Sequence, residues 1–309
     1  MRLQQALEQY LTLKQSLGFR YRSESKVLKA FGRAMGRINA GQAKPKAVRA
    51  FLDGGGAATR NWICKWTTLR GFYQFAMARR LALRSPLPER APKVTQSFTP
   101  YIYSQQELQR LLQVITLDRT KGVSPETMRT LVLLLYGAGL RLSEALNLEE
   151  ADVDLGERLL CVRCSKFFKT RWVPIGPKLA QILADHQSRG HVTVSDPNRH
   201  LFRTAKGSPV RSHTVQAIFR SLCLAAEVKR TDGAYYQPRL HDLRHSAAVH
   251  RMEAWYREGA DVQARLIQLS AYLGHASLAG TQKYLTLTPE LDAQAIARFA
   301  RYAWGGDHE

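Results

Sequence analysis

The segment RSPLPERAPKVTQSFTPY, residues 84–101, constrains the folding of this chain more than any other stretch. It holds four prolines and three basic residues and shows no apolar repeat. Proline fixes φ and lacks an amide donor, so neither a helix interior nor a central strand runs through such a stretch. The sequence therefore predicts a linker over 89–103 joining two separately folded parts, 1–88 and 104–309. At 309 residues, the chain also has the length at which single cores give way to two.

The first part is patterned for helices throughout, punctuated by Gly18, Pro45 and the glycines at 54–56. Its best-defined helix spans 59–80, where Trp62, Trp66, Leu69, Phe72, Tyr73, Phe75, Ala76 and Met77 form one broad apolar stripe. Lys65, Thr68 and Arg79 fall on or beside the polar side, and Arg20, Arg22 and Lys26 lie upstream. Each alone reads as a solvated face. As a set they suggest contact with a phosphate backbone.

The second part opens on a capping box, Ser104 to Glu107. An apolar run over 131–137 follows, then a strand–turn–strand in which RLLCVRC and RWVPI flank SKFFKT. Helices are expected near 177–188, 212–227, 241–258, 262–273 and 277–284. Pro289 opens a last one over 289–303, bearing Leu291, Ile296 and Phe299. The fold class is mainly α with a small β-sheet: a helical N-terminal domain and an α+β C-terminal domain.

Charge narrows the partner. With 46 Lys+Arg against 25 Asp+Glu, the formal net charge is +21. A polyanion relieves such self-repulsion, so nucleic acid leads. The positive charge is spread along the chain and not gathered on one amphipathic helix, which argues against a membrane partner. No run of 18 apolar residues and no export-like start appear, so a cytosolic, nucleoid-associated location is expected. The cysteines read as buried thiols. Cys161 and Cys164 have a zinc-like spacing, but no second Cys/His pair accompanies them and a strand would point them to opposite faces. No metal and no cofactor are expected.

Four short stretches could carry chemistry. In HDLRH, His241, Arg244 and His245 share one helical face, while Asp242 and Leu243 turn away. In GAGLRLSE, a glycine-broken turn sets Arg141 at a helix start with Glu144 one turn on to orient it, and a fixed guanidinium grips two phosphate oxygens. Lys166 sits at the tip of the expected hairpin beside Lys169 and Arg171, placed to reach a DNA groove. In YLGHASLAGTQKYL, His275 ends one helix and Tyr284 lies in the next. A phenol titrates near ~10, so it attacks phosphorus only where its proton is removed and cations favour the phenolate. Each stretch alone has an ordinary structural explanation; together they describe one anion site with one nucleophile.

Taken as a set, GAGLRLSEALNL, Lys166 in a hairpin ending VPI, HDLRHSAA and LGH before Tyr284 resemble the tyrosine recombinase (phage integrase) family. LRGFYQFAMARR followed by SPLP is similar to the end of that family's core-binding domain. The resemblance thus covers nearly the whole chain, with 1–88 as a DNA clamp and 104–309 as the catalytic domain. It implies site-specific recombination of double-stranded DNA through a covalent 3′-phosphotyrosine, without ATP or metal. In that scheme Arg141, Arg244 and His275 hold the scissile phosphate, His241 is the general base, Lys166 the general acid and Tyr284 the nucleophile. The resemblance also implies a tetramer on DNA held through the 289–303 helix, and it is compatible with accessory recombinases or DNA-bending proteins. Phe167 and Phe168 depart from the small and polar residues often seen beside the lysine, and extra residues lie around 253–257. The rivals are a nicking–resealing topoisomerase and a silent DNA-binding regulator of the same fold. A metal nuclease is disfavoured because no acidic cluster accompanies the histidines.

Overall fold

The computed structural model describes residues 1–19, 21–55, 59–93, 99–117, 122–163, 170–189, 199–234, 236–275, 277–282 and 284–285. The chain divides into two units, Met1–Phe98 and Thr99–Glu309.

Among the described residues the first unit contains four α-helices, α1 (Leu3–Ser16), α2 (Arg22–Met35), α3 (Pro45–Asp53) and α4 (Arg60–Ala78). Proline at N1 starts α3, and Gly54, at φ 58°, ends it, as expected for a donor-free first position and a left-handed stop. The Thr59 side chain caps α4 by accepting from the Trp62 amide. The α4 stripe then buries Trp62, Trp66, Leu69, Phe72 and Tyr73 against Leu3, Leu28, Phe31 and Leu52. The Trp66 indole donates to Pro88 O at 3.0 Å, and Leu87 and Ala91 pack on this core. Part of the proline-bearing segment therefore belongs to the first unit.

The second unit begins with Tyr101 and Tyr103. Tyr103 is buried, its amide donating to Ser246 Oγ and its hydroxyl to Arg239 O. The capping box forms as Ser104 and Glu107 exchange hydrogen bonds and starts α5 (Gln105–Leu117). Next come α6 (Pro125–Gly137), α7 (Leu142–Leu146) and an antiparallel sheet of β1 (Val153–Asp154), β2 (Leu159–Val162) and β3 (Arg171–Pro174). Leu160 pairs with Val173 and Val162 with Arg171. The sequence predicted β2 and β3 and missed the short β1. The remaining helices are α8 (Pro177–Arg189), α9 (Ser212–Ala225), α10 (Leu240–Arg257), α11 (Val262–Leu273) and α12 (Ala279–Gln282). Helix α6 is apolar nearly all round because α5, α8 and α10 all pack on it, the pattern of an enclosed helix. The 289–303 helix, with Leu291, Ile296 and Phe299, lies outside the described residues.

One sequence expectation needs correcting here: Cys64 is an exposed thiol and Cys161 a half-buried one, not buried thiols. Asp242 is buried and closes the start of α10 by accepting from the Arg239 amide and guanidinium.

Candidate active site

The site is organised by the C-terminal end of α11. Gly274 takes φ 65° and stops the helix, leaving the last carbonyls without helical partners. Three successive ones are each claimed by a different arginine. Tyr272 O accepts from Arg171 Nε at 3.2 Å, Leu273 O from Arg244 Nη2 at 2.6 Å, and Gly274 O from Arg141 Nη2 at 2.9 Å. This is the negative end of the helix dipole, where cations are stabilised. His275 follows at once in the chain.

Glu144 holds the same cluster from the other side. Its carboxylate accepts from Arg141 Nη1 at 2.6 Å and the Arg141 amide at 3.0 Å, and from Arg171 Nη1 and Nη2 at 3.1 and 2.9 Å. Burial alone would raise its pKa, but the bonds from Arg171 and Arg141 hold it down to about 2. Arg244 is only 2% exposed. Its Nη1 donates to Gly139 O at 2.6 Å, so the glycine-broken turn before Arg141 and the end of α11 fix one guanidinium between them. Burial, with the charge of Arg141, lowers Arg244 to about 10; it remains a cation at neutral pH.

Tyr284 is also 2% exposed. Its hydroxyl lies 3.0 Å from His245 Nδ1. Burial raises its pKa above the ordinary phenol value, against the pull of the Arg244 and Arg141 charges. The ring stacks on His275 with centroids 6.2 Å apart, while His275 Nδ1 is engaged by Thr281 Oγ1 at 2.7 Å. His241 meets the His245 ring edge-on at 4.9 Å. All three imidazoles are pushed toward the neutral form, first by burial and then by neighbouring positive charge, His245 to about 3 and His275 to about 4.

The structure thus brings together Arg141, Glu144, His241, Arg244, His245, His275 and Tyr284. Lys166 and Lys169 lie outside the described residues, as does Arg20. One departure concerns the phenol: His245, expected in support, and not His241 is the imidazole at its oxygen. Another concerns Arg171, which does not reach for a groove. It is turned inward onto Glu144 and the α11 carbonyls, with its side chain 13% exposed.

In the first unit, Lys65 donates to Phe51 O at 2.8 Å and so closes the end of α3. Thr68 is buried, its hydroxyl donating to Cys64 O. Thr68 therefore does not face solvent as a phosphate contact would, and Lys65 is half-buried with its ammonium engaged. Arg22, Lys26 and Arg79 are exposed. The sequence reading passed over Arg70, exposed and stacked on Trp66 with 4.9 Å to the ring; its spacing of four from Trp66 on α4 was the available signal.

Three arginines are thus gathered on one helix end beside a tyrosine and three histidines, an arrangement with the charge and the donors to hold an anion. The phage integrase family profile matches residues 102–290. An integrase/recombinase of Sinorhizobium fredii is 30% identical, with 96% of each chain covered. The tyrosine recombinase XerA of Thermococcus kodakarensis is 34% identical over 78% of this chain and 76% of its own. Among solved structures, the lambda integrase dimer bound to a COC′ core site covers 90% of this chain and 96% of its own at TM-score 0.63 and 19% identity. The chain belongs to the phage integrase family. It is a tyrosine recombinase, a site-specific DNA strand-exchanging enzyme.

Proposed function

We propose that Tyr284 is the nucleophile, attacking a DNA phosphodiester held by Arg141, Arg244 and His275 to form a 3′-phosphotyrosine. The observation that carries this is the placement of the phenol within one chain beside His245 and His275, close enough that the charges of Arg244 and Arg141 both act on it. The two guanidiniums are already tied to main-chain carbonyls. No reorganisation of theirs is needed when negative charge builds on the phosphoryl oxygens, which is where preorganised donors lower a barrier most. The Tyr284 oxygen forms the new bond to phosphorus and the 5′-oxygen departs, taking a proton from Lys166, a role supported by the family resemblance. Attack by a 5′-hydroxyl from another strand reverses each step. The exchanged bonds are of similar energy, so no nucleotide is consumed.

Because Tyr284 is buried here, DNA binding has to uncover its oxygen. Cleavage occurs in cis, since nucleophile and arginines come from one chain. Arg22, Lys26, Arg70 and Arg79 contact backbone phosphates. The protein acts in the cytosol as a tetramer on two recombination sites, with 289–303 docking on a neighbour; support comes from a lambda integrase tetramer bound to a Holliday junction, which shares the fold at TM-score 0.63.

The test is a nicked suicide DNA carrying the recombination site, resolved on a denaturing gel. Wild type is expected to yield a protein–DNA adduct and Tyr284→Phe none. Equal cleavage by both, or cleavage abolished by EDTA, would overturn the reading.

A further inference from the structure

We infer that His245 takes the Tyr284 proton during cleavage and returns it on resealing, and that the DNA phosphate itself turns this base on. The inference deepens the proposed function and rests on Tyr284 being the nucleophile.

Geometry selects among the three imidazoles. His245 Nδ1 is 3.0 Å from the phenol oxygen. His275 presents its ring face to Tyr284, and its Nδ1 is engaged by Thr281. His241 packs at a right angle on His245, one ring removed from the reacting atom. Proton transfer needs a heavy-atom separation of about 2.6–3.2 Å, and among the described residues His245 is the imidazole that has it.

The surroundings explain why the base is silent at rest. His245 is buried, and the positive charges of His241 when protonated, of Arg244 on its own helix, of Arg239 at that helix's N-cap and of His275 when protonated oppose its protonation. Arg141 and Arg171 stand behind Arg244, with Glu144 and Asp242 the opposing carboxylates. The proton therefore stays on Tyr284, and in the neutral tautomer protonated at Nε2 the His245 Nδ1 accepts from it. A phosphodiester between Arg141 and Arg244 brings one negative charge into this cluster. That charge offsets the field that disfavours imidazolium, and His245 becomes basic only with substrate in place. The Tyr284 O–H proton then passes to Nδ1 as the oxygen–phosphorus bond forms and the phosphorus–5′-oxygen bond breaks, the 5′-oxygen being protonated separately. On resealing, the released phenolate recovers the proton from His245.

The experiment uses full-length protein and suicide DNA with sulfur at the 5′-bridging position, whose leaving group needs no proton. Single-turnover adduct formation is followed against pH. His245→Ala should lower the rate at neutral pH by about 100-fold or more, with the deficit shrinking toward high pH where water and hydroxide remove the proton. His245→Asn, whose amide oxygen sits where Nδ1 does, should restore the melting temperature without restoring the rate. It carries the test should the alanine variant fail to fold. His241→Ala should cost clearly less. A wild-type rate and pH profile in His245→Asn, or a larger loss in His241→Ala than in either His245 variant, overturns the inference. An adduct formed by Tyr284→Phe would instead overturn the reading beneath it.

Discussion

At the scale of single residues, Glu144 and Arg171 show how a site is held by groups turned inward onto one another. Glu144 is buried and balances Arg141 and Arg171 directly, with Arg244 4.0 Å away. Removing one partner of such a cluster leaves buried charge uncompensated. Glu144→Ala is expected to lose about 3–5 kcal/mol in urea denaturation, along with cleavage. Arg171 separates two interpretations. If it were a groove contact, Arg171→Lys would keep its charge and its function. As a planar donor to Glu144 and Tyr272 O it is irreplaceable by lysine. Arg171→Lys is therefore expected to bind DNA with an unchanged salt slope and to cleave at least tenfold more slowly; a reduced slope with normal single-turnover cleavage would return Arg171 to the groove. The sequence held the clue. In RWVPI, alternation places Arg171 on the face of Val173, which is buried, and leaves Trp172 59% exposed. An arginine inside and a tryptophan outside reverses ordinary patterning, and such local contradictions gather at functional sites.

At the scale of elements, the end of α11 does the organising, and the reason for its Leu-Gly-His sequence is steric as much as chemical. A Cβ on Gly274 would stand 2.8 Å from Arg171 Cζ, and the residue already has positive φ. Gly274→Ala is expected to cost about 1–3 kcal/mol and to slow cleavage at least tenfold, because the carbonyl that holds Arg141 moves with it. Normal single-turnover rates in that variant would show that the three carbonyls are incidental. Much of this element layer was legible. The Ser104–Glu107 capping box and the apolar stripes located most of the helices, and i, i+4 spacing put His241 and His245 on one face. What stayed hidden is what no local pattern encodes: that α12 stops at Gln282 and leaves Tyr284 in a turn where the sequence predicted helix, which imidazole that tyrosine would meet, and that Lys65 and Thr68, flanking a broad aromatic stripe, would be spent on closing α3 and on an α4 carbonyl.

At the scale of the whole molecule, net charge and buried histidines set the response to solution conditions. A protein that neutralises six to ten phosphates loses about 10³–10⁵ in affinity between 50 and 200 mM salt, and a fall of that order is expected for DNA binding by this chain, which carries +21. Acid should act on the fold itself. His245 and His275 are held near 3 and 4, below the ordinary 6.5, so the unfolded chain binds more protons than the folded one as pH drops below 6.5. Stability is then intact above that pH and lost progressively toward 3, with Glu144, held near 2 against 4.5, adding to the loss below 4.5. Thermal melts at pH 7.5 and 5.0 should show the lower midpoint at pH 5.0; a higher one would contradict the buried-neutral assignment. The central claim, that one phenol becomes joined to DNA, is tested most directly by trapping the adduct on suicide DNA, digesting both components and sequencing the product by mass spectrometry. A nucleotide 3′-phosphate is expected on the peptide bearing Tyr284 and on no other tyrosine. A phosphonucleotide on a different residue, or cleaved DNA with no modified peptide, would contradict it.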